Sequence, residues 1–242
     1  MQILGIIPAR YASTRFPGKP LVDIAGKSMI QRVYDQSKKC HLLNDVIVAT
    51  DDERIYYHVT RFGGKAVMTS ANHQSGTDRC AEVAEKHPEF NTIVNIQGDE
   101  PYISPEQISK VILCFDTPDV QLATLVKKVQ NNEELFNPNS PKVIVNKNSE
   151  AVYFSRSPLP HIRGQMESEW LENFTYYKHI GIYGYRSDVL QQITKLSVSS
   201  LEKAESLEQL RWIENGYRIK VAETEIETFA IDTLEDLAKL KF

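Results

Sequence analysis

Ile3-Leu4-Gly5-Ile6-Ile7, followed by Pro8-Ala9-Arg10-Tyr11-Ala12-Ser13-Thr14-Arg15-Phe16-Pro17-Gly18-Lys19-Pro20, is the stretch whose reading decides the fold. The first five residues form a short, nearly continuous apolar run, the pattern of a strand buried on both faces. A basic loop follows. It carries Arg10, Arg15 and Lys19, and no acid appears until Asp23. Pro8, Pro17 and Pro20 stiffen the backbone, while Gly18 permits a close approach or a positive φ. Open parallel sheets bind ligands beyond the carboxyl ends of their strands, so a loop in this place is an expected ligand site. Arginine offers forked donors to phosphate oxygens and lysine a point charge, which suits a nucleoside triphosphate. The loop is not a Walker A loop: the G-x-x-x-x-G-K-[ST] spacing is missing and Pro20 follows the lysine. Charge clustering by itself would equally describe a solvated basic turn. The position after the first strand favours a ligand loop.

Outward from this point the first half alternates strand and helix. Ser28 and Gln31 read as a capping box for a first helix. Val46-Ile47-Val48-Ala49 is a second strand, Thr50 and Glu53 a second capping box, and Ile55, Val59 and Phe62 one helix face. Gly63-Gly64 stops that helix. Ala66 to Met68 is a third strand, and a helix is expected from Thr77 to about Lys86, with His87 before Pro88. Thr92 to Ile96 is a fourth strand. Ser104, Pro105 and Gln107 then open a helix with Ile108, Val111, Ile112 and Phe115 on one face. This βαβαβαβα order predicts an α/β fold with a mainly parallel sheet covered by helices. In the less regular second half, Leu122 to Val126, Val143 to Val145, Ala151 to Phe154 and Tyr177 to Tyr185 read as strands. Leu207, Leu210 and Ile213 mark a helix ended near Gly216. A strand near Thr228 to Ile231 and a short helix through Leu234, Leu237 and Leu240 close the chain. Asn137 to Pro141 reads as a loop, and residues 1–242 as a single domain.

Composition narrows the partners. Of 242 residues, 41% are hydrophobic and 25% charged, as in a globular soluble protein. The net charge of −4 gives no global attraction to nucleic acid or to an anionic membrane, so an anionic ligand needs a local basic cluster. Cys40, Cys80 and Cys114 are odd in number and lack a CxxC pair, which argues against a disulfide framework or zinc site. No signal-peptide pattern opens the chain, and no apolar run approaches the roughly 20 residues a membrane span requires. A cytoplasmic location, with no membrane partner, is expected.

Asp99, in Gln97-Gly98-Asp99-Glu100-Pro101, lies just beyond the fourth strand, near the basic loop. Magnesium takes one or two carboxylates together with phosphates and water. Asp232, also directly after a strand-like run, is the best second carboxylate, with Glu100 a weaker one. Each has an ordinary alternative: a turn-forming aspartate for Asp99, a helix N-cap for Asp232. Ser75-Gly76-Thr77-Asp78-Arg79 before the third helix suits a base edge and an anion, but it also reads simply as an N-cap.

The segment Ile7 to Leu21 resembles the signature of the cytidylyltransferases that activate 3-deoxy-manno-octulosonate (Kdo), the CMP-Kdo synthetases. The resemblance continues through Ala49-Thr50-Asp51-Asp52, His73 to Arg79, Asn95 to Pro101, Tyr153-Phe154-Ser155-Arg156, His179 to Arg186, Leu207-Glu208-Gln209-Leu210-Arg211 and Ile231-Asp232-Thr233. Eight motifs in order cover essentially the whole chain. The resemblance implies a three-layer α/β/α sandwich of the nucleotide-diphospho-sugar transferase type with a mixed, mainly parallel sheet. It implies a homodimer using CTP, Kdo and Mg²⁺ in lipopolysaccharide biosynthesis. It places Pro8, Ala9, Arg10, Arg15, Lys19, Ser75, Gly76, Thr77, Arg79 and Gln97 at the nucleotide, and Arg10, Arg15, Lys19, Asp99 and Asp232 in catalysis. Asp99 and Asp232 would hold the metal, and Gln97, Arg156, His179, Tyr183, Glu208 and Gln209 the sugar. The alternatives are a cytidylyltransferase for 8-amino-Kdo or a sialic acid, or a nucleotide-binding module without catalysis.

Overall fold

The computed structural model describes residues 1–12, 16–227 and 229–238. Along the chain the elements are β1 (Ile3–Ala9), β2 (Asp23–Ile24), β3 (Lys27–Ser28), α1 (Met29–Ser37), β4 (Asp45–Thr50), α2 (Glu53–Arg61), β5 (Ala66–Met68), α3 (Gly76–Lys86), β6 (Thr92–Asn95), α4 (Pro105–Leu113), β7 (Leu122–Lys128), α5 (Asn132–Phe136), β8 (Lys142–Val145), β9 (Ala151–Ser155), α6 (Trp170–Asn173), β10 (Tyr177–Arg186), α7 (Ser187–Ile193), α8 (Ser200–Glu205), α9 (Gln209–Glu214), β11 (Ile219–Glu223) and α10 (Leu234–Ala238). They form two compact units. One comprises Met1–Ser109, Gly184–Thr194 and Glu227–Phe242, the other Lys110–Tyr183 and Lys195–Ile226.

In the first unit β1 is the hub. It pairs in parallel with β4 on one side and β6 on the other, and β4 pairs in parallel with β5. Ile3, Leu4, Ile6 and Ile7 are all buried, as are Val46 to Ala49 and Ile93 and Val94. That explains the unbroken apolar runs: each strand has side chains packed on both faces. Crossover helices supply the covering layer. Ser28 caps α1 by accepting from the Gln31 amide, but the Gln31 side chain makes no return bond, so the expected capping box is only half formed. The second expected cap is corrected. Asp52, not a Thr50–Glu53 box, caps α2 by accepting from the Arg54 amide, because Thr50 still belongs to β4. α3 starts one residue earlier than expected, with Ser75 and Asp78 forming a reciprocal capping box. The expected α4 face, Ile108, Val111, Ile112 and Phe115, is buried.

The second unit is mixed. β11 pairs in parallel with β7, whereas β8 pairs antiparallel with both β9 and β10. The helix anticipated through Leu207, Leu210 and Ile213 is α9, which ends at Glu214 shortly before Gly216; α8 precedes it and ends at Ser206, whose φ is 52°. α5, α6, α7 and α8 were not anticipated. The strand expected from Thr228 to Ile231 is also corrected: Thr228 lies outside the described residues, and 229–231 form no strand. Leu240 of the closing helix lies outside them as well. The fold is the mixed, mostly parallel α/β class of the nucleotide-diphospho-sugar transferases.

Candidate active site

The site in the first unit is built at the carboxyl ends of β1, β4 and β6, which lie on one edge because the three strands run parallel. Pro8 and Ala9 end β1, and exposed Arg10 follows. The turn after β6 comes so close that a Cβ on Gly98 would stand 2.7 Å from the Pro8 carbonyl oxygen, so glycine is required there. A Cβ on Gly76, at the start of α3, would stand 3.4 Å from the Pro8 ring. The exit of β1 is thus bracketed by the Gln97–Asp99 turn and by the N-terminus of α3, the end of a helix whose dipole favours an anionic group.

The basic loop is anchored at two points. Gly18 adopts φ 73° and its amide donates to the Tyr11 carbonyl at 2.9 Å. The Tyr11 ring is covered by the Arg54 guanidinium, 3.3 Å from its centroid, and Arg54 is forked onto Asp52. Phe16 is buried with Ile24, Met29 and Ile231. Lys19 therefore leaves a fixed base. Its Nζ donates to Asp99 Oδ2 at 2.7 Å and to Asp232 Oδ1 at 3.1 Å, residues 80 and 213 positions away. Asp232 is brought in by its neighbour: buried Ile231 donates its amide to the Asp99 carbonyl at 2.9 Å. The N-cap alternative for Asp232 is resolved, since Thr233 accepts from the Asp236 amide and Asp236 accepts from the amides of Asp232 and Thr233. The capping is done by Thr233 and Asp236, and the Asp232 carboxylate meets Lys19. Arg15 lies outside the described residues.

Ser75 and Arg79 are more occupied than expected. The Ser75 hydroxyl and amide are engaged in the α3 capping box. Arg79 is 1% exposed; its Nη1 donates to Thr69 Oγ1, and its Nη2 is 3.2 Å from Asp51 Oδ2 in ionic contact. Thr69 in turn donates to the Thr50 carbonyl, tying the segment to the end of β4. Thr77 is buried. Glu82 holds the approach to α3, accepting from Lys86, the Ser70 amide and His73. Burial alone would raise its pKa, but these bonds overcome it and bring it to about 2. Gln97 is half-buried, and its side chain bonds to no other described residue. Asn95 is buried beside Gly76, and its amide oxygen has no hydrogen-bond partner among the described residues.

The second unit holds the remaining sugar candidates. His179 Nε2 lies 2.9 Å from Thr124 Oγ1, and its ring packs against Phe154 and Tyr183, with centroids 5.3 and 5.1 Å away. Burial pushes the imidazole pKa down to about 3, so it is neutral at ordinary pH. Tyr183 also meets Trp212 edge-on at 5.2 Å. Arg156 is heavily committed, donating to the carbonyls of Glu205, Pro138 and Ser206. Glu205 accepts from Ser155 and from the Arg156 amide. Glu208 and buried Gln209 open α9. Thr124, Glu205 and Tyr11 were not picked out from the sequence. Asp51 sits in a quoted motif, and its place after β4 was the available signal. For Thr124 the signal was a lone hydroxyl within an apolar strand.

The chain matches the family described as Cytidylyltransferase over residues 4–221. It is 60% identical over 244 residues to a 3-deoxy-manno-octulosonate cytidylyltransferase of Parabacteroides distasonis, covering 99% of this chain and 96% of that one. It is 57% identical over 242 residues to that of Cytophaga hutchinsonii, with 99% and 96% covered. A solved CMP:2-keto-3-deoxy-manno-octonic acid synthetase complexed with CTP superposes with a TM-score of 0.92 at 44% identity, over 99% of this chain and 96% of that one. With its motifs and fold in agreement, the chain belongs to the cytidylyltransferase family, among the 3-deoxy-manno-octulosonate cytidylyltransferases.

Proposed function

We propose that this chain transfers CMP from CTP to the anomeric hydroxyl of Kdo, releasing pyrophosphate and supplying CMP-Kdo for lipopolysaccharide biosynthesis. The observation that carries the reading is the convergence of Asp99 and Asp232 on one cation beyond β1 and β6. The names of the relatives and the CTP held by the solved neighbour support the substrates.

The donor set fits Mg²⁺. Two carboxylate oxygens meet at one point, now taken by an ammonium, and no cluster of three or more acidic, histidine or cysteine groups forms among the described residues. Such a pair leaves places for phosphate oxygens and water. Asp99 and Asp232 would hold the ion, and when bound Mg²⁺ would offset phosphate charge and make the attacking hydroxyl more acidic. The chain's own residues do the positioning. Backbone at Pro8 to Arg10 and the first turn of α3 would cradle the nucleotide beside Gln97. Arg10, Arg15 and Lys19 would neutralise the β- and γ-phosphates, stabilising the pyrophosphate as it leaves. Displacement at the α-phosphorus of this kind depends on alignment and charge more than on covalent help from the protein. Arg156, His179, Tyr183, Glu208 and Gln209 would hold the sugar acid.

Action as a homodimer in the cytoplasm completes the proposal. The family resemblance supports the dimer, and no helix among the described residues is long and apolar enough to cross a membrane. The test is pyrophosphate release by the purified chain with Mg²⁺, each of the four nucleoside triphosphates, and Kdo, 8-amino-Kdo or a sialic acid. Release with CTP and Kdo is expected. Efficient release only with another sugar acid would move the substrate assignment, and CTP binding without release from any sugar would end the enzymatic one.

A further inference from the structure

Thr124 lies in the middle of β7 with no exposed surface. Its Oγ1 stands 2.7 Å from the Ile182 carbonyl oxygen, 3.3 Å from that of Ile180 and 2.9 Å from His179 Nε2. A hydroxyl has one hydrogen to donate and two lone pairs to accept with, whereas a carbonyl oxygen only accepts. Were the hydrogen given to His179, both lone pairs would face carbonyl oxygens in a buried site, a repulsive arrangement with unmet acceptors. The hydrogen therefore goes to Ile182, and a lone pair of Oγ1 faces the imidazole. Nε2 must then carry the ring hydrogen. A neutral imidazole has only one N–H, so Nδ1 is a bare acceptor. It makes no hydrogen bond with another described residue.

We propose that Thr124 is a positioning residue that locks His179 in its Nε2–H tautomer, so that Nδ1 accepts a hydrogen bond from a hydroxyl group of the sugar acid and takes no part in holding its carboxylate. This rests on the reading that His179 lines the sugar site. Neutrality of the ring agrees with it, because burial holds the pKa near 3 and a neutral ring has no charge to offer a carboxylate. Specificity then comes from the acceptor: a polar group left unpaired rejects an analogue lacking the hydroxyl.

The experiment joins a tautomer measurement to a split of kinetic constants. Nitrogen-15 NMR of the imidazole in the free protein reads the tautomer directly. Nε2–H is expected in the wild type and in Thr124→Ser, and a mixed or Nδ1–H population in Thr124→Val. In the same variants, KM for Kdo should rise roughly tenfold in Thr124→Val, the worth of one hydrogen bond. It should stay near wild type in Thr124→Ser, with KM for CTP unchanged in both. Nδ1–H in the wild type overturns the proposal, as does an unaltered tautomer in Thr124→Val. His179→Ala separates the two layers. If it leaves KM for Kdo unchanged, the placement of His179 at the sugar is wrong and the proposal falls with it. If it raises KM while tautomer-shifted Thr124→Val does not, the placement stands and the tautomer lock is wrong. Should Thr124→Val fail to fold, the wild-type and Thr124→Ser spectra decide on the tautomer alone.

Discussion

Lys19 is where the chemistry converges, and its neighbours show how little slack the site has. The ammonium is shared by carboxylates from two distant parts of the chain. Gly98 allows one of them to be there at all. In Gly98→Ala the new Cβ would meet backbone, 2.7 Å from the Pro8 oxygen, so either the end of β1 or the Gln97–Asp99 turn must move. We expect a stability loss of about 1–3 kcal/mol, as for an overpacked site, together with a marked fall in turnover. Denaturant unfolding beside pyrophosphate release would show both, and an unchanged variant would remove the tight turn from the account. His179 makes a second prediction at this scale. Its pKa is depressed in the folded state, to about 3 from an unfolded value near 6.5. Below the unfolded value the denatured chain takes up a proton that the native chain refuses, so this residue's contribution to stability declines as pH falls from about 6.5 towards 3. The imidazole resonances of His179 should therefore not titrate between about pH 5 and pH 8, the range where an ordinary histidine does. A midpoint near neutrality would contradict the burial described for it.

Among elements, the decisive link is the short segment before α10. Ile231 packs with Phe16, Ile24 and Met29, and its amide is bonded to Asp99. One buried residue, through its side chain and its amide, thus ties the basic loop, the turn after β6 and the neighbouring Asp232. Truncation in Ile231→Ala should cost about 2–5 kcal/mol for the lost packing and cavity, and should weaken Mg²⁺ binding by freeing Asp232. Thermal unfolding and metal titration test this together. A destabilised variant with unaltered metal affinity would show that Asp232 is held by something other than Ile231. Element by element, the sequence was most readable where apolar runs and punctuation agreed. β1, β4 and β6, the Ser28 cap and the buried face of α4 could all be read from pattern. The cap of α2 was misread because Thr50 and Asp52 both carry a suitable oxygen, and only tertiary pairing shows that Thr50 stays in the strand. Ile231 resembled a strand residue because burial, not hydrogen-bonded pairing, made it apolar. α8 went unread, and its end at Ser206 has no glycine to announce it.

For the whole molecule, the parallel β1–β4–β6 core explains why motifs scattered along the chain gather at one edge of the first unit. That gathering could be anticipated from the βαβ order and from where parallel sheets bind ligands. The partners inside the site could not, because long-range side-chain pairing leaves no local pattern. Thr69 and Asp51, the protein partners of Arg79, and the three carbonyls bonded by Arg156 are of this kind. The central claim is that Asp99 and Asp232 act as a pair in CMP transfer. The most direct measurement is the rate of pyrophosphate release from CTP and Kdo by Asp99→Asn and Asp232→Asn, with CTP binding measured in the same preparations. Losing a well-placed charge partner raises the barrier by roughly 3 kcal/mol, so each variant should release pyrophosphate at least about a hundredfold more slowly while still folding and binding CTP. Near-normal release by either variant would contradict the account.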